Sequence, residues 1–347
     1  MKKKVLIFLQ NGIGGAERMS VLFGKSLSKD SYDVSFCVVR NTFSTRIVDF
    51  IPQDYSIIHI PKARPIKMIW RLFLTIWKEH PQIVFSSAMY LNTKILPFRY
   101  LYPSTRFIIR CENYLYTFNK KQRLFMRLSY NMADEIIAQT EEMKDELVNQ
   151  IHINSQKIRV ILNPVDVELI EQLIKEGNNP YPIKGKKHFV AVGRYTYQKG
   201  FDLLIMAFGI FARTRDDVEL YIVGDEKFGG GIFYRKVMDL VCQNGLDKLV
   251  HCVGYQKNPY LYIKYADCLV LPSRWEGMPN VLNEALYIGT PVAAFKCVPI
   301  VERMVKDGAN GFLAEKESVT SLAKAMQNAL SLGKIKTTCI QNQTIEI

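Results

Sequence analysis

The sequence predicts an α/β fold built from two doubly wound, Rossmann-like domains. Three observations carry that prediction. Short apolar runs alternate with amphipathic stretches along nearly the whole chain, the alternation pauses once in a turn-rich segment near the middle, and the loops holding glycines, paired cations or paired carboxylates follow the apolar runs directly. Strand–helix–strand alternation signals a parallel sheet covered on both faces, and such sheets bind ligands beyond the carboxyl ends of their strands.

In the first half, residues 5–9, 34–39, 56–60, 83–86, 107–110, 135–138 and 157–162 read as strands, with helical patterns at 16–28, 66–79, 119–131 and 141–150. Lys2, Lys3 and Lys4 before the apolar run 5–9 imitate a secretory leader, but the apolar part is too short and leads into Asn11-Gly12. It reads better as the first buried strand. Asn163-Pro164-Val165-Asp166 closes this half, and Gly177, Asn178, Asn179, Pro180, Pro182 and Gly185 make the next stretch turn-rich. A second series has strands at 188–192, 219–223, 250–253, 268–271 and 292–295 and helical patterns at 200–213, 232–243, 259–265, 280–288 and 319–331. The expected division is a domain over 1–175, a linker over 176–187, a domain over 188–335 and a short tail over 336–347, the two domains facing across a cleft.

A chain of 347 residues can bury two cores, and its 48% apolar and 23% charged content is that of a globular protein. No apolar run approaches the roughly 18 residues of a membrane span. The seven cysteines form no CxxC pair and have no metal-like spacing, so they read as small core residues in a reducing compartment. The net charge of +13 is uneven: residues 1–163 hold 24 Lys and Arg against 13 Asp and Glu, whereas residues 164–347 hold 22 against 20. Within 62–127 the ratio is 13 to 2. Such a field implies an anionic partner. No nucleic-acid motif occurs and the aromatics do not interleave with the bases, which leaves a membrane surface as the better reading.

The most informative stretch runs Leu271-Pro-Ser-Arg-Trp-Glu-Gly-Met-Pro-Asn-Val-Leu-Asn-Glu284. Glu276 and Glu284 straddle a strand-to-helix junction, with Pro279 suited to a first helical turn and Val281, Leu282, Ala285 and Leu286 at helical spacing. The amides of Met278, Asn280 and Val281 would open a helix toward an anion. Two carboxylates beside an anion site suit sugar hydroxyls, which donate hydrogen bonds that a carboxylate accepts. The bland alternative is a surface helix with two solvated glutamates. With Glu-Gly-x-Pro-Asn and Gly289-Thr290-Pro291-Val292 following, the segment resembles the donor-sugar motif of the retaining glycosyltransferases of family 4, which have the GT-B fold.

That resemblance extends over almost the whole chain. Gly193-Arg194-Tyr-Thr-Tyr-Gln-Lys199-Gly200 is similar to the family's Gly-Arg…Lys-Gly pattern, which implies that Arg194 and Lys199 meet the donor diphosphate. Asn11-Gly12-Ile13-Gly14-Gly15-Ala16-Glu17 departs from the dinucleotide fingerprint, since Glu17 stands in place of the third glycine. It resembles instead the family's N-terminal loop, which implies donor contacts at Gly14 and Gly15. Gly224 ends another apolar run, and the resemblance places Tyr255 or Gln256 against the nucleobase and Gly277 beside the sugar; ordinary loop sequence is an equal reading for the 255–256 pair. Asp307–Leu313 resembles the family too, and reads as a structural turn.

Two departures stand out. Glu112 occupies the place where many relatives carry a histidine, so an acceptor contact and a structural role are both open. Phe295-Lys296-Cys297-Val298-Pro299 lacks the usual glycine pair before Glu302. No Asp-x-Asp pair occurs, so Arg194, Lys199 and a helix N-terminus are expected to stabilise the leaving group, with no metal and no cofactor beyond the donor.

The implied activity is retaining transfer of a hexose or N-acetylhexosamine from a nucleotide-diphosphate sugar, UDP-sugar first and GDP-mannose second, in bacterial surface polysaccharide synthesis. The acceptor would be a hydroxyl of a glycan or a polyprenyl-diphosphate-linked oligosaccharide, bound by the first domain, with the nucleotide sugar on the second. Lys120, Lys121, Arg123 and Arg127 at helical spacing, with Trp70, Phe73, Leu74 and Trp77, suggest peripheral contact at the cytoplasmic membrane face; a surface helix and a core stripe are the bland alternatives. Two rival functions are a GT-B sugar-nucleotide 2-epimerase and a non-catalytic membrane-associated scaffold.

Overall fold

The computed structural model describes residues 2–12, 14–40, 47–182, 185–213, 215–226 and 228–337. They form two compact α/β units that divide in sequence between Pro164 and Val165.

The first unit comprises β1 (Lys3–Gln10), α1 (Gly15–Ser26), β2 (Tyr32–Arg40), β3 (Ser56–Pro61), α2 (Pro65–Glu79), β4 (Ile83–Ser86), α3 (Met89–Ile95), β5 (Arg106–Arg110), α4 (Lys120–Tyr130), β6 (Glu135–Ala138), α5 (Glu141–Ile151) and β7 (Ile158–Val160). Its seven strands are parallel in the order β3-β2-β1-β4-β5-β6-β7. Val5 to Leu9 are all buried because β1 lies mid-sheet with both faces covered, which is why it reads as a continuous apolar run. Right-handed crossovers put α1 on one face and the neighbouring series α2, α3, α4 and α5 on the other. Asn119 and Gln122 form a reciprocal capping box that starts α4 where the sequence expected it.

The second unit comprises α6 (Val167–Lys175), β8 (Lys187–Val192), α7 (Phe201–Ala212), β9 (Val218–Val223), α8 (Ile232–Gln243), β10 (Val250–Gly254), α9 (Tyr260–Tyr265), β11 (Cys268–Leu271), α10 (Asn280–Ile288), β12 (Val292–Phe295), α11 (Pro299–Met304), β13 (Gly311–Ala314) and α12 (Val319–Ala329). Its sheet is also parallel, in the order β10-β9-β8-β11-β12-β13. Helix α7 is apolar nearly all round, since α8, α12 and the sheet enclose it.

Several elements differ from expectation. Residues 165–175, expected in the first domain, form α6, which Asp166 caps and which packs on α9 in the second unit. The helices α3, α6 and α11 had not been expected. The segment 307–313 is a turn that runs straight into strand β13, where a Cβ on Gly311 would lie 2.4 Å from the Val292 carbonyl oxygen, so close strand pairing requires that glycine. Past α12 the chain returns to its own unit: Lys334 donates to the carbonyls of Lys264 and Ala266 and to Thr290, and the Ile335 amide donates to Gly289 at 3.0 Å. The greater part of the expected tail, from residue 338, lies outside the described residues.

Candidate functional site

Strand order in the second unit reverses at β8, which lies between its successor β9 and the later strand β11. Loops leaving such a pair diverge, and open sheets place ligands at that point. The loop after β8 carries Arg194 and Lys199; the loop after β11 carries Glu276. Gly200 ends a 3-10 turn over Tyr197–Lys199 with φ +64°, and a Cβ there would sit 2.0 Å from the Pro272 carbonyl oxygen. Only glycine lets the two loops touch at that point.

That contact brings two expected residues together. Lys199 Nζ lies 2.6 Å from Glu276 Oε1, and Ser273 Oγ donates to the same oxygen at 2.6 Å. Glu276 is only 6% exposed, and a carboxylate so buried needs both partners. Nearby Cys297 is also buried; desolvation, helped by the charge of Glu276, pushes its thiol up to about 12, so it stays protonated.

A second set of contacts holds the loops in register. Arg274 donates to Asp202 in a fork, Nη1 to Oδ1 at 2.9 Å and Nη2 to Oδ2 at 3.0 Å. Its Nη1 also donates to the Tyr197 carbonyl at 2.7 Å, and its guanidinium lies 3.8 Å from the Tyr197 ring centroid. The Arg274 amide reaches the Gln198 carbonyl at 2.8 Å, while Gln198 Nε2 donates to the Trp275 carbonyl at 3.1 Å. Burial works to raise the Asp202 carboxyl, but hydrogen bonds from Arg274 and Lys236 outweigh it and leave it below its ordinary value. Burial likewise works against the Arg274 charge, and Asp202 outweighs it. Ser273, Arg274, Asp202 and Gln198 escaped the sequence reading; for Arg274 the available signal was its place two residues before Glu276.

Helix α10 spans Asn280–Ile288, the range its helical pattern predicted, with Pro279 as its cap rather than inside its first turn. The opening turn of α10 carries Asn280 and Val281, and Gly277 and Met278 just before it are buried. Glu284 lies farther along α10, where Tyr260 of α9 donates to its Oε1 at 3.3 Å. Arg194 is exposed. Gly224 and Gly254 prolong the ladder of the neighbouring strands, the Gly224 amide donating to Gly254 at 3.0 Å. A Cβ on Gly224 would lie 2.1 Å from the Gly193 carbonyl oxygen, which makes Gly224 a packing requirement of the Arg194 loop. Tyr255 and Gln256 are half-buried after β10, where Gln256 Nε2 donates to the Val253 carbonyl at 2.6 Å and so stiffens its own turn.

The other expected residues lie in the first unit. Gly14 caps α1 and Gly15 opens it; a Cβ on Gly14 would come nearest Glu17 Oε2, the mobile end of a side chain, at 2.4 Å. Glu112 is half-buried beyond β5, and its charge acts on Arg110, whose guanidinium hydrogen-bonds Asn163. Among the described residues no group of three or more His, Cys, Asp or Glu side chains could hold a metal.

Comparison with known proteins agrees with this geometry. Residues 13–169 match the model "Glycosyltransferase Family 4", and residues 174–345 match "Glycosyl transferases group 1". A glycosyltransferase of unassigned substrate from Haemophilus influenzae is 26% identical over 341 residues, 93% of this chain and 89% of that one. The UDP-Gal:alpha-D-GlcNAc-diphosphoundecaprenol alpha-1,3-galactosyltransferase of Escherichia coli is 27% identical over 225 residues, 61% of this chain and 57% of that one. The chain spans about half the length of several relatives it matches. The crystal structure of Anabaena HepE in complex with UDP superposes with a TM-score of 0.79 at 17% identity, covering 95% of this chain and 90% of that one, which shows a shared fold. Two parallel-sheet units, the two family matches spanning nearly the whole chain and the paired Lys199 and Glu276 lead to one conclusion: this chain belongs to the glycosyltransferases of GT-B fold, with a family 4 domain followed by a group 1 domain.

Proposed function

We propose that the protein transfers a hexose or N-acetylhexosamine, with retention, from a nucleotide-diphosphate sugar to a hydroxyl of a glycan or lipid-linked acceptor in bacterial surface polysaccharide synthesis. The observation that carries this reading is the contact of Lys199 with Glu276 at the point where the second sheet reverses its strand order. It sets a cation for the diphosphate beside a carboxylate for sugar hydroxyls. The UDP-Gal used by the Escherichia coli relative and the UDP held by HepE favour a UDP-sugar over a GDP-sugar.

In the proposed reaction the bond between the anomeric carbon and the phosphate oxygen breaks. The nucleoside diphosphate leaves with the electron pair, the acceptor oxygen bonds to the same carbon, and its proton ends on the departing phosphate. Lys199 and Arg194 meet the charge that develops on the leaving group, together with the opening amides of α10, so no metal is required. Glu276 holds sugar hydroxyls and Glu284 the ribose. The acceptor and the Gly14–Gly15 loop are assigned to the first unit, which makes peripheral contact with the cytoplasmic face of the membrane.

A thermal-shift panel of nucleotide sugars tests the donor, since a bound ligand raises apparent stability by mass action. A UDP-sugar is expected to give the largest shift, unaltered by a chelator; a larger shift with a GDP-sugar would overturn the nucleotide assignment. Glu276→Ala is expected to abolish transfer, and NMR of the product to show the donor's anomeric configuration. Epimer formed from the donor alone would replace the transferase reading with the epimerase. Absence of any nucleotide-sugar binding would leave the scaffold.

A further inference from the structure

Helices α2 and α4 of the first unit each turn an apolar stripe to solvent. On α2 the stripe is Ile66, Trp70 and Trp77, exposed by 84%, 59% and 52%; on α4 it is Leu124, Phe125 and Leu128, exposed by 54%, 61% and 61%. These positions do not belong to the core, because the opposite sides of the same helices bury Met68, Leu72 and Ile76, and Met126, Ser129 and Tyr130. Helix α3 packs between α2 and α4, and Phe73 meets Phe98 and Tyr102 at ring distances of 5.6 and 5.9 Å, so both stripes lie on one side of the unit. Near the α2 stripe, Arg64, Pro65, Ile66, Lys67 and Trp70 line a shallow hollow.

Exposed bases flank both stripes: Arg64, Lys67 and Lys78 on the first, Lys120, Lys121 and Arg127 on the second. Among the described residues no carboxylate pairs with any of them. An occupant must therefore supply both negative charge and hydrocarbon. A second copy docking through the same side would set these bases against their own kind, which disfavours a symmetric dimer. A nucleic acid has no use for exposed leucine and isoleucine. An anionic bilayer satisfies both demands, phosphates against the bases and acyl chains around the apolar side chains. No helix among the described residues is long and apolar enough to cross a membrane, so the contact lies in the interface plane.

We infer that the α2–α4 side of the first unit is a monotopic docking surface that inserts Ile66, Trp70, Trp77, Leu124, Phe125 and Leu128 into the headgroup layer of an anionic phospholipid bilayer. This rests on the proposed membrane contact and adds which side chains enter the bilayer and that the contact is apolar as well as electrostatic. Attraction between charges alone would vanish in high salt; inserted side chains would not let go.

The full chain would be sedimented with vesicles of phosphatidylcholine and with an equal mixture containing phosphatidylglycerol, at low and high salt. Brominated acyl chains would report insertion by quenching Trp70 and Trp77, two of the three tryptophans. Binding to the anionic vesicles with quenching that persists in high salt is expected. Replacing Leu124, Phe125 and Leu128 together by Ser should weaken partition by about tenfold or more, and Trp70→Ser on the other helix should weaken it independently. No anionic binding, binding that salt abolishes without quenching, variants that partition like the parent, or a dimer that the triple variant splits would each overturn the proposal. Thermal shift by a UDP-sugar, run on the same samples, reports the donor site separately, so failure on lipid is distinguishable from failure of the transferase reading.

Discussion

Arg274 and Asp202 meet as a two-point fork in which both side chains are 6% exposed, and the fork ties the loop after β11 to the start of α7. Truncating one partner leaves the other charged and buried. Asp202→Ala is expected to destabilise the protein by about 3 kcal/mol, the lower edge for such a loss because Glu317 still faces Arg274. Denaturant unfolding without donor measures it, and an unchanged midpoint would show that the fork does not hold the loops.

If, as proposed, Lys199 meets the charge that develops on the leaving group, turnover in Lys199→Met should fall by about 10²–10³-fold. Because Lys199 and Glu276 are in contact, the loss in a Lys199→Met, Glu276→Gln double variant should be smaller than the sum of the two single losses. Steady-state rates on the three variants decide it. Full additivity would mean that the two side chains act separately.

Two glycines with positive φ should respond differently to alanine. Gly185 has φ +86° with nothing within 4 Å of an added Cβ, whereas the Cβ on Gly200 would strike Pro272. Gly185→Ala should cost only the conformational strain, about 1 kcal/mol, while Gly200→Ala should exceed it and weaken nucleotide-sugar binding as well. Equal unfolding midpoints for the two variants would contradict the close loop contact.

Stability should depend on pH through His188, which stacks on Tyr181 with ring centroids 4.1 Å apart. Burial lowers its pKa below the ordinary 6.5; Glu219 and Asp267 oppose the shift, while His251 and Lys186 add to it. Below that ordinary value the unfolded chain takes up a proton that the folded chain resists. The contribution of His188 is therefore complete above about pH 6.5 and is lost as pH falls, until the folded imidazole itself protonates. Urea unfolding at about pH 7.5 and about pH 5.5 should show a smaller difference in His188→Phe than in the parent. An identical difference would remove His188 from the account.

The fold was legible wherever an element announced itself locally. Val5 to Leu9 are buried throughout, Phe201 to Ala212 are buried apart from a strip at Met206, Gly209 and Ile210, and their composition says so. Lys199 and Glu276 were legible because each sits in a short loop of distinctive chemistry. Asp202 was not, since an acid in the first turn of a helix is ordinary sequence favoured by the helix dipole, and its partner comes 72 residues later. Strand β13 was hidden by its own glycine, which reads as a turn although the strand needs it for close backbone approach. Asp166 was read only as part of the segment that closes the first half; it caps α6, whose allegiance to the second unit is decided by packing on α9, which no local pattern reports.

The contact between Lys199 and Glu276 also pairs a cation and a carboxylate with each other. A ligand that brings only phosphate must draw the lysine away and leave a carboxylate that is 6% exposed with the Ser273 hydroxyl alone. A ligand that brings hydroxyls as well replaces the donor it takes. On the proposed reading, free phosphate and pyrophosphate should therefore bind more weakly than a nucleotide sugar, turned away by the charge they would strand rather than by any steric barrier.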